Sequence, residues 1–318
     1  MAIQLPRIFR IPENRWALWP SAILLTIFLF AGGPGYQSPR SLCAAWDLGH
    51  VVAFSLWSYL LITGRALRES SIARQWGIAL AFCIAAGTAT EGIQSLLGRD
   101  TSIGDLLRDM LGGVIALSWF SPSSKALPVQ VRRAARTVSA TLLLVACIPF
   151  ATAVTDEEIA RHQFPVLSDF ETPFEANRWD GDARFSIDRS AARHGKASLR
   201  VELGTTLYSG VALVYFPRNW KGYRTLSLEA LNPSPQEIDI ICRIHDLRHE
   251  EGEQRYEDRY NKTFHLRSGW NHLSVDLEEV ARAPAGRTLD LGMIRVVGIF
   301  ATRLPTPRTI FLDHIRLE

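Results

Sequence analysis

The feature of this 318-residue sequence that most constrains its fold is a series of apolar runs before residue 155. Each run approaches the ~20 residues that a helix needs to cross the hydrocarbon core of a bilayer. The fourth run is short unless its polar first turn lies among the lipid headgroups. The predicted spans of this α-helical transmembrane domain, residues 1–155, are residues 16–33, 46–63, 76–97, 106–120 and 138–154.

The basic residues predict how these spans are oriented. Lys and Arg cluster before the first span, between the second and third, and between the fourth and fifth, whereas the other loops hold only Arg40 and Arg99. Because cytoplasmic loops carry the excess of Lys and Arg, the N-terminus is predicted in the cytoplasm of a bacterial inner membrane. Everything after the fifth span is then periplasmic or extracellular. A cleavable signal peptide is the alternative for the first run.

Ionisable and amide side chains occur inside the second, third and fourth runs, where a lipid-facing helix has none. They come in pairs about one helical turn apart, so the two members of each pair share a face. In the predicted orientation, all of them lie near the outer ends of their helices. The sequence therefore predicts one outward-facing polar pocket, which comprises Asp47, His50, Glu91, Gln94, Arg99, Ser102, Asp105 and Asp109.

The spacing of these residues resembles the VanZ-like membrane family over residues 44–120. The matching pattern is Asp47-x-x-His50-x-x-x-Phe54, Glu91-x-x-Gln94 and Arg99-x-x-Ser102-x-x-Asp105-x-x-x-Asp109-x-x-Gly112. That family is named for a protein associated with resistance to the glycopeptide teicoplanin. The resemblance therefore implies a cell-envelope protein whose pocket faces a lipid-linked or glycopeptide-related partner. Family members usually carry Asn where Asp109 stands, and a second carboxylate beside Asp105 would raise a pKa or attract a cation.

Three interpretations of this pocket remain open. Its side chains can lock the helices together, with each buried hydrogen bond in a membrane contributing about 1 kcal/mol. They can form a site for a lipid headgroup or a glycolipid. They can also belong to an enzyme acting on envelope glycolipids, with Glu91 or Asp105 as the general base and His50 as its partner. The residues alone establish no catalytic group, and a non-enzymatic protein is the main hypothesis.

The second half of the sequence is polar and predicts a different domain. Residues 156–168 are predicted to form a charged tether, and residues 169–318 show the period-two alternation of half-buried strands. Gly and Pro residues between the strands predict an antiparallel all-β sandwich of about eight strands outside the membrane. Its predicted strands are residues 198–203, 210–216, 225–231, 237–246, 263–266, 271–277, 293–301 and 309–317.

This half resembles the carbohydrate-binding modules of the galactose-binding-like jelly-roll class over residues 169–317. The matching pieces are Asp169-Phe170-Glu171, Trp179, His194-Gly195-Lys196-Ala197-Ser198-Leu199, Trp220-Lys221-Gly222-Tyr223, Gly269-Trp270-Asn271 and Phe311-Leu312-Asp313-His314-Ile315. The resemblance implies a structural calcium held by Glu171 and Asp313, with carbonyl oxygens from the turn at Gly195. Ordinary strand-end carboxylates are the alternative.

A candidate saccharide site follows from the alternation in residues 237–246. The alternation buries Ile238, Ile240, Cys242 and Ile244, so Asp239, Ile241, Arg243 and His245 face outward. Sugars are bound by aromatic stacking together with polar groups that make paired hydrogen bonds. The predicted contacts are Arg243, His245, Asp246, Tyr256 and Arg259. A solvated face is the alternative.

Composition and charge narrow the range of possible functions. The formal net charge of only +3, with basic residues concentrated in loops that flank the predicted spans, argues against a nucleic-acid partner. The predicted partners are membrane lipid and a saccharide or glycolipid of the cell envelope. A structural membrane subunit whose β domain docks another protein is the third hypothesis, beside the binding protein and the enzyme.

Overall fold

The computed structural model of this protein describes residues 18–30, 33–35, 38–96 and 103–318. The chain divides into two compact units, Met1–Ala151 and Thr152–Glu318. The first unit is helical and the second contains all the β-strands of the described residues. We describe each unit by itself.

The helical unit contains α1 (Leu18–Phe30), α2 (Arg40–Thr63), α3 (Ile72–Leu96), α4 (Ile103–Phe120) and the first part of α5 (Val129–Gln163). Within the described residues, three helices are long and apolar enough to cross a membrane: Arg40–Thr63, Ile72–Ile93 and Val129–Gln163. The α1 helix is apolar but shorter, and α4 carries three charged side chains in its first two turns. The count of five spans and their orientation therefore stay predictions.

Glycines of α4 allow it to pack closely against α2 and α3. A Cβ atom on Gly112 would lie 2.6 Å from the carbonyl oxygen of Val51 and 2.7 Å from the amide nitrogen of Ser55, both in α2. A Cβ atom on Gly113 would lie 2.6 Å from the Sγ atom of Cys83 in α3. Any larger side chain at these two positions would push the helices apart, so the sequence of α4 determines how closely the three helices meet.

The β unit is a sandwich of two antiparallel sheets. Its strands are β1 (Val166–Ser168), β2 (Trp179–Asp180), β3 (Arg184–Asp188), β4 (Ser198–Leu203), β5 (Tyr208–Leu213), β6 (Thr225–Asn232), β7 (Ile238–Asp246), β8 (Tyr260–Leu266), β9 (Gly269–Asp276), β10 (Ile294–Thr302) and β11 (Arg308–Leu317). Two short helices, α6 (Leu247–Glu251) and α7 (Leu277–Arg282), follow β7 and β9. One sheet has the order β3-β4-β11-β6-β9, with β1 also paired to β11, and the other has the order β2-β5-β10-β7-β8.

The core of this unit lies between the two sheets. Inward-facing residues of both sheets, among them Leu199, Leu228, Ile240, Ile299 and Leu312, are almost completely buried. Successive strands such as β4 and β5 belong to opposite sheets, as do β6 and β7. This alternation is typical of jelly rolls and confirms the predicted all-β sandwich. All eight predicted strands are present within three residues of their predicted bounds, whereas the short strands β1, β2 and β3 were not predicted.

Residues 156–168, predicted as a tether, have regular secondary structure. The α5 helix continues to Gln163, and β1 begins at Val166. Asp156 and Arg178 explain this continuation, because both side chains are buried and their Oδ1 and Nη2 atoms are 2.8 Å apart. The Nε atom of Arg178 also donates to both carboxylate oxygens of Asp156, at 3.1 and 3.0 Å. A buried ion pair thus joins the last turns of α5 to the β sandwich.

Candidate functional site

The five-stranded sheet has one surface that points away from the core, which we call the open face. Along β7, Ile240, Cys242 and Ile244 are fully buried in the core, as predicted. The residues between them, Arg243 and His245, therefore lie on the open face. Arg259 precedes β8 in an extended conformation, and the pairing of Tyr260 with Ile244 puts Arg259 beside His245 on the same face.

Glycines on the neighbouring strands make room for the larger side chains of this face. Gly298 of β10 pairs with Arg243, and a Cβ atom there would lie 3.4 Å from the Nε atom of that arginine. Gly210 of β5 pairs with Phe300, and a Cβ atom there would lie 2.4 Å from the Cβ atom of Phe300. The side chains of Arg243 and Phe300 consequently lie over backbone that carries no side chain of its own.

Two arginine–aromatic pairs occupy the open face. The Cζ atom of Arg243 is 5.9 Å from the ring centroid of Phe300, and that of Arg259 is 5.4 Å from the ring centroid of Tyr256. Tyr208 meets Phe300 edge to face, with 5.9 Å between the ring centroids. Tyr256 is 68% exposed and Tyr208 is 57% exposed, so both rings are accessible from solvent. The face offers aromatic surface and guanidinium groups side by side.

Four buried polar atoms on this face have no hydrogen-bond partner within the described part of the chain. They are Nε of Arg243, Nδ1 of His245, Nε of Arg259 and Oδ1 of Asn261. Asn261 of β8 pairs directly with Arg243, so the four atoms lie on two adjacent strands. Buried polar groups are normally hydrogen-bonded, and leaving one unsatisfied costs about 1–3 kcal/mol. A cluster of them on one face is a set of donors and acceptors suited to a polar ligand.

The electrostatics of this cluster are positive. Neither Arg243 nor Arg259 forms an ion pair with any residue that the structure describes. Burial lowers the pKa of His245 to about 3, with further lowering by the charge of Arg243, so this imidazole is neutral at physiological pH. Burial also lowers the pKa of Arg243, and the charge of Arg259 acts in the same direction.

Asp246, also predicted to contact saccharide, is placed differently. It is completely buried and caps α6 by accepting a hydrogen bond from the amide nitrogen of His249. The guanidinium of Arg287 donates to both of its oxygens, at 2.7 and 2.9 Å. Burial by itself would raise the pKa of Asp246, but the hydrogen bonds from Arg287 and from the amide nitrogens of residues 290 and 249, together with the charge of Arg287, lower it overall. Asp246 thus holds the loop after β7, while Arg243, His245 and Arg259 lie on the open face and Tyr256 lies at its margin.

Sequence reasoning missed Phe300, Tyr208, Gly298 and Asn261 as members of this face. The residues of β10 are apolar on both sides of the sheet, so its sequence lacks the alternation that reveals an outward side chain. Only the pairing of β10 with β7 brings Phe300 beside Arg243.

The two carboxylates proposed for calcium meet at one turn. Oε1 of Glu171 accepts hydrogen bonds from the amide nitrogens of residues 196 and 197, and Oδ2 of Asp313 accepts from those of residues 193 and 194. Gly195 between them has a φ of 65°, and a Cβ atom there would lie 2.3 Å from Oε1 of Glu171. Oδ1 of Asp313 is buried and has no hydrogen-bond partner among the described residues.

These oxygens are of the hard type that calcium prefers, but calcium takes six to eight oxygen ligands. Within the described residues there is no group of three His, Cys, Asp or Glu side chains placed to hold a metal. Backbone carbonyl oxygens would have to complete the site between Glu171 and Asp313. The calcium ion therefore stays a prediction.

The polar residues of α2 and α4 meet inside the helical unit. His50 and Asp109 are buried, and Nδ1 of His50 is 2.9 Å from Oδ1 of Asp109. Arg108, which was not included in the predicted pocket, pairs with Asp47 at 2.9 Å and also with Asp105. Together these five residues form what we call the helix cluster. Two acidic residues of the predicted pocket thus share one arginine of α4.

The third helix approaches the same cluster. A Cβ atom on Gly87 of α3 would lie 2.6 Å from Oδ2 of Asp109, and Glu91 follows Gly87 by one turn on that face. Glu91 is half-buried and is close enough for its charge to act on Asp109. The side chain of Gln94, together with Arg99 and Ser102, lies outside the described residues.

No family model matches this chain, and no curated protein matches it. Solved structures with a similar fold include the family 11 carbohydrate-binding module from Clostridium thermocellum in complex with a β-1,3-1,4-mixed-linked tetrasaccharide. Its sequence is 17% identical, the match covers 48% of this chain and 93% of that chain, and the TM-score is 0.37.

Two other similar structures are a family 22 carbohydrate-binding module of Clostridium thermocellum Xyn10B and an exo-β-agarase. The module is 14% identical over 48% of this chain and 90% of that chain, with a TM-score of 0.34. The agarase is 16% identical over 48% of this chain, with a TM-score of 0.40, and the match spans only 24% of the length of that enzyme. The class defined by the strand order itself is an antiparallel β sandwich, preceded in this chain by apolar helices.

Proposed function

We propose that this protein is a membrane-anchored saccharide-binding protein of the cell envelope, and that the sugar binds on the open face. The observation that supports the proposal is the cluster of four unpartnered buried polar atoms on Arg243, His245, Arg259 and Asn261. It lies beside two arginine–aromatic pairs on the same sheet. Sugar rings need both kinds of contact, an aromatic surface for their C–H faces and polar groups for their hydroxyls.

Each side chain has a definite role in this proposal. The rings of Phe300 and Tyr256 supply the stacking surface. Each ring lies beside an arginine of the open face, Arg243 for Phe300 and Arg259 for Tyr256. The unpartnered Oδ1 of Asn261 accepts hydrogen bonds from sugar hydroxyls, and Nδ1 of His245 donates to or accepts from them according to its tautomer. Asp246 and Arg287 do not touch the sugar but fix the loop that carries Tyr256.

The helical unit anchors the sandwich in the membrane and contributes a polar pocket near its outer surface. From the VanZ-like resemblance we propose that the helix cluster faces a lipid-linked or glycopeptide-related partner. The enzyme alternative needed Glu91 or Asp105 to act with His50. In the structure His50 is paired with Asp109, and Asp105 is paired with Arg108, so Asp109 is the carboxylate that would orient His50 in that alternative.

The test is a binding titration of the full-length protein in lipid nanodiscs against a panel of envelope oligosaccharides. The variants are Arg243→Ala and Phe300→Ala, with Arg200→Ala as the matched control. Arg200 lies on β4 of the other sheet, where it pairs with Glu202 at 3.1 Å. Saturable binding that both open-face variants lose and the control keeps is the expected result. A folded protein that binds no saccharide would overturn the proposal.

We also propose that Glu171 and Asp313 hold a structural calcium ion at the turn around Gly195. A ligand that binds only the folded state stabilises it by about 2.7 kcal/mol at a concentration 100 times its Kd. Calcium should therefore raise the unfolding temperature of the β unit relative to chelator, and Glu171→Gln should abolish the difference. Asp182→Asn, at an exposed position, is the control. Equal unfolding temperatures with calcium and with chelator would contradict the proposal.

A further inference from the structure

We propose that the saccharide recognised by the open face is acidic, with an oxyanion on the sugar (a carboxylate, phosphate or sulfate) that Arg243 and Arg259 bind together. This inference rests on the proposed function and specifies its ligand class. It is carried by the arrangement of charge on the open face: two partly buried arginines side by side, and nearby carboxylates that are already paired elsewhere.

The two arginines are adjacent and have no anionic partner in the described part of the chain. Arg243 of β7 pairs with Asn261 of β8, and Arg259 lies two residues before Asn261, on the same face and diagonal to Arg243. Their charges are close enough to oppose each other, since the charge of Arg259 disfavours the charged form of Arg243. Two like charges at a partly buried position repel each other, and an anion bound between them would offset that repulsion.

The acidic residues around this pair are committed to other partners. Asp246 and Asp258 both bind Arg287, and Asp258 also contacts His249. Asp239 pairs with His265 at 2.6 Å. Asp180 of β2 also lies on the open face, and β5 and β10 separate it from β7. The charges of Arg243 and Arg259 are therefore not offset by these three paired carboxylates.

The geometry suits an oxyanion better than a hydroxyl alone. Each guanidinium lies over an aromatic ring, Phe300 for Arg243 and Tyr256 for Arg259, so packing fixes its plane. A fixed guanidinium presents its N–H groups as a fork that matches two oxygens of a carboxylate, phosphate or sulfate. Partial burial strengthens the attraction because water screens it less.

Neutral groups beside the arginines would form hydrogen bonds with the hydroxyl groups of the sugar. Nδ1 of His245 and Oδ1 of Asn261 carry no charge and have no partner among the described residues. They can bond to hydroxyls on either side of an acidic ring. The face thus combines two cations for the oxyanion with a neutral acceptor and an imidazole for hydroxyls.

The experiment compares matched acidic and neutral saccharides on the full-length protein in nanodiscs of zwitterionic lipid. The acidic probes are oligogalacturonate, oligoguluronate, a heparin oligosaccharide and a glycerol-phosphate-substituted oligosaccharide. The neutral probes are the methyl esters of the two uronates, desulfated heparin oligosaccharide and the unsubstituted oligosaccharide. Comparison among the acidic probes identifies which oxyanion is preferred.

The expected result is that at least one acidic probe binds about tenfold or more tightly than its neutral counterpart. Arg243→Gln and Arg259→Gln should each remove most of that difference, whereas the control Arg200→Gln should leave it unchanged. Arg243→Lys should recover only part of it, because lysine keeps the charge without the fork. Thermal unfolding of each variant confirms that it is folded.

Two other outcomes would overturn the inference in distinguishable ways. Binding of neutral saccharides with no preference for their acidic forms would refute the acidic ligand and leave the proposed function standing. An absence of binding to acidic and neutral probes alike would refute both. If Arg200→Gln weakened acidic binding as much as Arg243→Gln, the attraction would be general surface charge, and the assignment to the open face would be wrong.

Discussion

His245 illustrates how position within a sheet determines the chemistry of a side chain. It is only 7% exposed, and burial together with the charge of Arg243 lowers its pKa to about 3. In the unfolded chain a histidine titrates near pH 6.5. We therefore predict that His245 stays neutral in the folded protein from pH 8 down to about pH 4.5. Protonation of His245 should then cause no loss of saccharide affinity over that pH range.

The sign of the effect on stability follows from the same pKa difference. Between about pH 6.5 and pH 3 the unfolded state binds a proton at this residue that the folded state does not, so His245 reduces stability as pH falls through that window. The slope is at most about 1.4 kcal/mol per pH unit. Mass-spectrometric measurement of deuterium exchange at the imidazole C2 position gives the pKa directly in the full-length protein. A midpoint near 6.5 for His245 would contradict the prediction.

Individual residues of the candidate site differ in how far sequence could predict them. Alternation along β7 correctly put Arg243 and His245 opposite the buried isoleucines, since one face of that strand is entirely apolar. The same reasoning could not locate Phe300, because β10 is apolar on both faces. Nor could it show that Asp246, at the last position of β7, turns inward to Arg287. Pairing between strands that are distant in sequence decides both cases.

At the scale of elements, the last turns of α5 contribute to the stability of the β sandwich. The side chains of Asp156 and Arg178 are at most 1% exposed and form a multiply hydrogen-bonded ion pair. Removing one partner of a buried pair leaves the other charge uncompensated, which costs about 3–5 kcal/mol. We predict that Asp156→Ala destabilises the β unit by that order, whereas Glu158→Ala, at an exposed position two residues later, changes stability by about 0.5 kcal/mol or less.

Denaturant unfolding monitored by tryptophan fluorescence measures the stability of both variants. Six of the nine tryptophans lie outside the β unit, and Phe substitutions at those positions reduce their contribution to the signal. Equal stabilities of Asp156→Ala and Glu158→Ala would show that α5 does not support the sandwich. The loss in Arg178→Met should be at least as large, because it leaves the buried carboxylates of Asp156 and Glu175 without their cation.

Packing of α4 against α2 gives a second prediction at this scale. Alanine at Gly112 would bring its Cβ atom within 2.7 Å of two backbone atoms of α2, a contact that only movement of the helices can relieve. Gly77 in α3 is also helical, but a Cβ atom there would have no neighbouring atom within 4 Å. Gly112→Ala should therefore lower the unfolding temperature of the detergent-solubilised protein, and Gly77→Ala should leave it unchanged or raise it. Similar effects of both substitutions would refute the close approach.

Elements were predictable where one periodic pattern persisted over several residues. All eight strands with clear alternation were predicted, whereas β1, β2 and β3 have two to five residues each and little pattern to detect. Residues 156–168 are charged and contain a proline, which suggested a tether. The helix persists there because Asp156 finds a buried partner more than 20 residues later, a contact that no local pattern encodes.

At the scale of the whole molecule, the helical half and the β half of the sequence are suited to two different solvents, lipid and water. The described helices expose large apolar side chains, such as Leu144 at 70% and Leu107 at 61%, as expected of surfaces that face lipid. The core of the β unit, in contrast, is formed entirely by residues from Leu167 to Leu317 and contains no residue of the helical unit. The sandwich thus buries its own apolar residues, whereas three of the described helices are long and apolar enough to cross a membrane.

This separation predicts that the unit Thr152–Glu318 folds and binds saccharide without the membrane helices. A fragment with these bounds keeps Asp156 for Arg178 and should unfold in one cooperative transition. A fragment that begins at Phe164 lacks Asp156, so it should be less stable by about 3–5 kcal/mol while keeping every strand. Circular dichroism measures the first comparison, and calorimetry with the preferred saccharide measures whether affinity matches that of the full-length protein. If the longer fragment folded but did not bind, the sugar site would require the helical unit, and the open face could not be the whole site.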